Sequence, residues 1–397
     1  MTRIFPLILK TYRRIPSGLR ISITTKCRFI SINRLKDKKL FTVLVIVICI
    51  ISFYLRIERI GETEYVDELI YVKLARFLAN GHLASSSSLF DVYAQHGALL
   101  IVPNEVDIVA PWFDHPPFFA MLDVPFWVLG APRLLPILLG VLSTFIVMYL
   151  LRENKIESLF AGLIFAVYPF AVQLNSMMFL DNGSSFFFLV TLALTSRFDK
   201  NKSQVLLMLA GVSAGVSFLC KETGVYSIVF LLVYLFASRK SISRFKALRA
   251  IMIAIGIASF WFVIGLILNS SLFVDIITAQ FQRSSGSPNI YQALLNTSVL
   301  DFSITLEEFI SRNVSFILLF SWICLGIFVF DPKHKVIKLG VLSFILTLVV
   351  LRYAWFFTWI GIYPLFSIAI AYVLYRSVHY SSSYVHRFLE TSKIPQL

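Results

Sequence analysis

Apolar positions along the chain fall in long, nearly unbroken blocks, with polar residues gathered in the segments between them. The blocks include Leu40–Ile57, Leu134–Leu151, Gln204–Leu219, Ile251–Leu268, Phe316–Phe330 and Ala354–Tyr375. Crossing the hydrocarbon core of a bilayer takes about 20 mostly apolar residues as helix. Ten such stretches are predicted, at 40–57, 133–151, 157–175, 182–196, 203–220, 223–238, 250–268, 314–330, 337–351 and 354–375. The fold class that follows is an all-α integral membrane protein. Phe118–Gly130 is also apolar, but it is short and carries Asp123 and Pro125, so it reads as interfacial or re-entrant.

Two of the intervening segments are long, 58–132 and 269–313. In the first, acidic residues lead into Val66, Leu69, Ile70, Leu74, Phe77 and Leu78 at helical spacing, with Gly81 as a stop. This predicts an amphipathic helix lying in the interface with its acidic end first. The same segment ends in Asp114-His115-Pro116-Pro117, where two prolines bar helix and hold Asp114 and His115 in an extended turn.

Composition agrees with this reading. Of 397 residues, 58% are hydrophobic and 15% charged, with a mean hydropathy of +0.80. A soluble domain of this length needs more charge to cover its surface. The net charge of +14 would suit nucleic acid, but its distribution assigns it to topology. With residues 1–39 cytoplasmic, 27 of the 36 Lys and Arg lie on the inner side and 16 of the 22 acids on the outer. That is a positive-inside pattern with both termini cytoplasmic and no nucleic-acid partner. If 118–130 crossed the membrane, the acid-free run Arg239, Lys240, Arg244, Lys246, Arg249 would move outside. The organisation expected is a basic segment 1–39, a membrane domain 40–375 and a cytoplasmic tail 376–397. The basic leader has no signal-peptide form, and the first apolar stretch stays as an anchor. Four scattered cysteines give neither a disulfide framework nor a zinc spacing, and no nucleotide-binding motif is present.

The same topology brings Asp67, Glu68, Asp114, His115, Arg133, Asp181, Lys221, Glu222, Arg352 and Tyr353 to one face. Ionisable groups at membrane depth are costly and are paired or functional. Lys221 and Glu222 pairing with each other is the plain alternative.

In order and spacing these residues resemble the GT-C glycosyltransferases, in particular the dolichyl-phosphate-mannose protein mannosyltransferases and the related aminoarabinose transferases. The resemblance rests on Tyr65-Val66-Asp67-Glu68 after the first span, on Asp114-His115-Pro116-Pro117 and on Arg133 leading the second span. Asp181-Asn182, Lys221-Glu222-Thr223 and Arg352-Tyr353 complete it. It covers residues 40–375, and the chain ends without the large exterior C-terminal domain of some relatives. His115 stands where aminoarabinose transferases carry Lys, which favours the mannosyltransferase-like branch.

The resemblance implies a sugar donor on polyprenyl or dolichyl phosphate, presented from the bilayer, and an acceptor protein or glycolipid. A hydroxyl acceptor needs a carboxylate to take its proton, for which Asp67 is the candidate with Glu68 in support. A single base without a protein nucleophile implies inversion. Lys221, Arg352, His115 and Arg133 are the candidate cations for the leaving phosphate. Asp181, Asp114, Glu222 and Tyr353 are candidates for orienting substrate. No cofactor is required; a divalent metal between Asp114, His115 and another carboxylate is compatible with the chemistry. The absence of large soluble domains favours a plasma membrane, or the endoplasmic reticulum in a eukaryote. The rival class is a transporter or flippase, which places its polar groups at mid-membrane; here they cluster at the outer ends.

Overall fold

A computed structural model describes residues 38–61, 66–81, 89–102, 105–109, 111–285, 316–331, 333–350 and 356–391. The chain divides into two units, residues 1–46 and 47–397, and the account below concerns the second. The elements of the described residues in order are α1 (Lys38–Ile57), α2 (Val66–Ala79), α3 (Phe90–Gln95), β1 (Leu99–Val102), β2 (Glu105–Val109), α4 (Phe118–Val128), α5 (Leu134–Leu150), α6 (Lys155–Val167) and α7 (Pro169–Leu174). There follow α8 (Leu180–Asn201), α9 (Gln204–Cys220), a 3-10 turn (Glu222–Gly224), α10 (Val225–Ala237), α11 (Arg244–Ser285), α12 (Phe316–Phe330), α13 (Lys335–Val350), a second 3-10 segment (Phe356–Ile362) and α14 (Tyr363–Thr391).

All ten predicted apolar stretches carry helix. Among the described residues three helices, Lys38–Ile57, Arg244–Gln282 and Trp359–His379, are long and apolar enough by themselves to cross a membrane; α5, α9 and α12 are shorter apolar helices. Exposed side chains such as Val43, Ile50, Phe145, Phe236, Phe260, Ile267 and Phe330 cover the outside of this helical protein. Such a surface suits lipid and not water.

Four features depart from the sequence reading. The stretch 157–175 is two helices, because Tyr168 precedes Pro169 and takes extended backbone (φ −64°, ψ 115°), as a residue before proline tends to. The helix of the last predicted stretch does not end at 375, since α14 continues to Thr391. The exterior segment 269–313 begins as helix: α11 runs on to Ser285, bent where Asn269 leaves helical values (φ −160°, ψ 90°). And β1 pairs antiparallel with β2, Leu99 opposite Val109 and Leu100 opposite Ile108, a small hairpin in an otherwise helical fold.

Helix α4 has eleven residues, a length of about 17 Å at 1.5 Å per residue, too short to span. It begins directly after Pro117 and packs beside α2. The long helices meet where small residues permit. Any side chain at Gly211 on α9 would strike the Ala250 carbonyl of α11, and one at Gly215 would come within 2.7 Å of the Ala254 carbonyl. Polar groups gather at the two ends of the bundle. At the end holding the α8–α9 connection, Lys202 binds Asp199 at 2.9 Å and Tyr234 donates to Asp199 at 3.0 Å. Nearby, Lys200 pairs with Glu153. The Asp181 and Lys221 end lies opposite.

Candidate active site

The site is built from the start of α2, the turn before α4, the start of α8 and the junction after α9. Adjacent positions on a helix point about 100° apart, so Asp67 and Glu68 part company at once. Glu68 is fully buried and takes Arg133 side-on, Nε to Oε1 and Nη2 to Oε2 both at 2.7 Å. The Met178 amide donates to the same Oε1 at 2.8 Å, and Arg133 Nη1 donates to the Ile60 carbonyl at 2.7 Å. This pair ties α2, α5 and the segment before α8 together. Asp67 is half-buried and accepts no hydrogen bond from any described residue.

Lys221, buried at the end of α9, donates to Asp181 Oδ2 at 2.7 Å, and Thr223 donates to Asp181 Oδ1 at 3.2 Å. Burial opposes the ammonium charge, but Asp181, Tyr71 and Glu222 outweigh it and hold Lys221 above the ordinary lysine value. The plain alternative holds only in part: Lys221 donates to Asp181, while Glu222 Oε2 lies 2.9 Å from His115 Nδ1 and acts on Lys221 through its charge. Burial raises the Glu222 carboxyl, yet His115 and then Lys221 prevail and bring it below the usual carboxylate value. Both of these latter side chains keep some exposure, 18% for His115 and 24% for Glu222, so this pair faces outward while Asp181–Lys221 lies beneath.

Aromatic groups close the space around His115. Tyr71 meets it edge-on at 6.1 Å and Trp112 lies at 6.3 Å. Tyr71 stands one helical turn beyond Asp67, and its phenol is within electrostatic reach of Lys221, Asp67, Asp181 and Glu222. It therefore links the free carboxylate to the two ion pairs. Asp114 is buried, with its carbonyl taking Gln280 Nε2 at 3.3 Å. Tyr93 accepts the Phe113 amide at 2.7 Å, and burial with the Asp114 carboxylate beside it raises the phenol.

The segment that delivers Asp181 is fixed from behind. Arg56 on α1 is buried, donates to Ser52 Oγ at 2.7 Å and to Asn175 Oδ1 at 3.3 Å, and lies over the Phe165 ring. Asn175 donates to Asn182 Oδ1 at 2.7 Å, and Asn182 donates to the Met177 carbonyl at 2.8 Å.

Of the residues expected at the site, Asp67, Glu68, Asp114, His115, Arg133, Asp181, Lys221 and Glu222 come together. Arg352 and Tyr353 lie outside the described residues. Two assignments change. Arg133 spends Nε and Nη2 on Glu68 and Nη1 on the Arg59 and Ile60 carbonyls, so its fork is directed at the protein and not at a phosphate. Glu68 is fully buried and engaged by Arg133 and the Met178 amide, so it is closed off from an acceptor hydroxyl. A divalent metal at Asp114 and His115 finds no support in the side chains: His115 turns to Glu222, and among the described residues no three His, Cys, Asp or Glu side chains converge as ligands. Tyr71, Tyr93, Arg56 and Asn175 were not anticipated. Tyr71 had a signal, its i+4 position from Asp67.

Residues 110–264 match the sequence model of a family described as dolichyl-phosphate-mannose-protein mannosyltransferase. That span includes Asp114, His115, Arg133, Asp181, Lys221 and Glu222 and begins after Asp67. No curated protein matches the chain by sequence. Among solved structures, ArnT from Cupriavidus metallidurans bound to undecaprenyl phosphate superposes with a TM-score of 0.53 at 16% identity, over 84% of this chain and 59% of that one. The archaeal oligosaccharyltransferase AglB from Archaeoglobus fulgidus, in complex with an inhibitory peptide and a dolichol-phosphate, superposes at 0.51 with 13% identity, over 91% of this chain and 52% of that one. The chain thus spans less than two thirds of either neighbour, and at these identities the likeness is one of fold. The resemblance to the GT-C glycosyltransferases read from the motifs holds, and the fold is that of an all-α membrane protein.

Proposed function

We propose that the protein is a glycosyltransferase that moves a sugar from a polyprenyl- or dolichyl-phosphate donor to an acceptor hydroxyl at the exterior face of its membrane, with inversion. The observation that carries this reading is Asp67: a half-buried carboxylate that accepts no hydrogen bond from any described residue, at the edge of a site where Arg133 engages Glu68, Lys221 engages Asp181, His115 meets Glu222 and Asp114 is buried. A base must be able to receive a proton, and Asp67 is the acid in this group with that capacity.

In the proposed step the acceptor oxygen attacks the anomeric carbon while its proton passes to Asp67. The bond from that carbon to the phosphate oxygen breaks, and polyprenyl phosphate leaves with the electron pair. Lys221, held charged over Asp181, and the outward His115 offset the growing phosphate charge, with Arg352 and Tyr353 as further contributors. Asp181, Glu222 and Asp114 hold these groups in place. Glu68 and Arg133 act as positioning residues, because their mutual bonds fix the helix that presents Asp67. The acceptor is a protein or a glycolipid, and the membrane is a plasma membrane with both chain termini on the cytoplasmic side. Residues 40–375 form the catalytic membrane domain.

A transporter reading would need polar groups along a path through the bundle; the clustering at one end favours transfer chemistry. Donor-dependent thermal stabilisation tests the reading. Undecaprenyl phosphate raises the melting temperature of the wild type, and Lys221→Gln diminishes that rise. An equal rise in both proteins removes Lys221 from the phosphate site.

A further inference from the structure

At the end of the bundle opposite Lys221, α9 and α11 do not pack flush beside their close contact at Gly211 and Ala250. They leave a groove of about 340 Å³ lined by Met208, Phe245, Leu248, Arg249, Met252 and Ile253. Met208 precedes Lys221 by thirteen residues of helix, about 20 Å of rise, so this groove is remote from the candidate active site. Its walls are apolar, and Phe245, Leu248 and Met252 are exposed on the outer surface of the bundle.

Arg249 is exposed as well, and its guanidinium lies 4.1 Å from the centre of the Phe245 ring. That stacking holds a planar, permanently charged fork at the groove. Arg239, Lys240, Arg244 and Lys246 precede it, and the sequence contains no acid between Glu222 and Asp275. The positive end of the α11 dipole adds to the same field. Of the acids at this end, Glu153 and Asp199 are engaged by Lys200 and Lys202, Asp331 is engaged by Arg376, and Glu157 lies 3.8 Å from His334.

An apolar groove open to the hydrocarbon, with uncompensated cations at the depth of the headgroups, has the chemistry of one kind of occupant. We propose that it binds an anionic glycerophospholipid, one acyl chain lying between α9 and α11 and the phosphodiester held by Arg249 with Lys246. The fork of an arginine matches a phosphodiester in two parallel hydrogen bonds. A zwitterionic lipid carries its own cation and gains less from the cluster. This site does not depend on the proposed transfer reaction.

The test uses the full chain, purified in mild detergent and titrated with phosphatidylglycerol or phosphatidylcholine of matched acyl chains, with bound lipid counted by native mass spectrometry. Wild-type protein retains phosphatidylglycerol at about tenfold lower concentration than phosphatidylcholine. The pair Lys246→Gln with Arg249→Gln removes that preference, as does Met208→Trp, which fills the groove. The pair Arg239→Gln with Lys240→Gln, away from the groove, retains it. Should Met208→Trp fail to fold, the two glutamine pairs decide. Equal retention of the two lipids by wild type overturns the proposal, as does equal loss in both glutamine pairs, which would indicate diffuse surface charge. Displacement of phosphatidylglycerol by an equimolar amount of undecaprenyl phosphate would assign the groove to the polyprenyl lipid instead.

Discussion

Glu68 and Arg133, 65 residues apart in sequence, meet in a bidentate ion pair with both nitrogen–oxygen distances at 2.7 Å and almost no exposure on either side chain. The pair anchors the interfacial helix α2 to the start of α5. It joins two elements that lie far apart in sequence.

Removing one partner of such a pair leaves the other buried without compensation, at a cost of about 3–5 kcal/mol. Glu68→Ala and Arg133→Ala are each expected to lower stability by that amount in denaturant unfolding of the purified protein. Glu68→Met with Arg133→Met is expected to cost less than the two single changes together, because no charge is stranded. Additive losses would contradict the pairing.

His115 and Glu222 supply a pH dependence of known sign. The Glu222 carboxyl is held below its ordinary value of 4.5. Its stabilisation is therefore present above about pH 4.5 and is lost as the pH falls through the lowered folded-state value. The stability difference between wild type and Glu222→Gln is expected to shrink on acidification below pH 4.5. A difference that grows there would place Glu222 away from His115.

Asp123 gives the opposite sign. It is buried in α4, neither carboxylate oxygen has a hydrogen-bond partner among the described residues, and burial pushes its carboxyl up to about 8. The folded protein holds a proton that the unfolded chain releases above its ordinary value of 3.8, so stability falls as pH rises between the two. Asp123→Asn removes that loss. Its stability relative to wild type is expected to rise from about pH 4 to about pH 8 in thermal melts, and a flat difference would mean that Asp123 finds a partner.

The positions of the apolar helices were legible because a bilayer imposes length and hydropathy directly on the sequence. So was the gathering of Asp67, Asp114, His115, Asp181 and Lys221 at one end, which follows from loop charge. What hydropathy does not record is helix continuity: α14 runs past residue 375 because backbone hydrogen bonds do not stop at a membrane surface. The break at Tyr168-Pro169 was readable from the proline and lost inside an apolar block. The hairpin had a signal in Pro103-Asn104 between β-branched runs, weaker than the helical pattern around it. The pairings were the least legible. That Glu68 turns inward to Arg133 while Asp67 beside it stays open depends on how α2 rotates against α4 and α5. The choice of His115 over Lys221 as the partner of Glu222 depends on the 3-10 turn after α9. Neither rotation nor turn geometry is fixed by residue type alone.

The central claim is that Asp67 accepts the acceptor proton in a transfer from a lipid-phosphate sugar. The direct measurement is release of polyprenyl phosphate from labelled polyprenyl-phosphate sugars by the purified protein, in the presence of membrane glycolipid and peptide acceptors. Wild type is expected to consume at least one donor in the set. Asp67→Asn is expected to lose that turnover by at least about a hundredfold while keeping the wild-type melting temperature. Near-normal turnover by a folded Asp67→Asn protein would contradict the account.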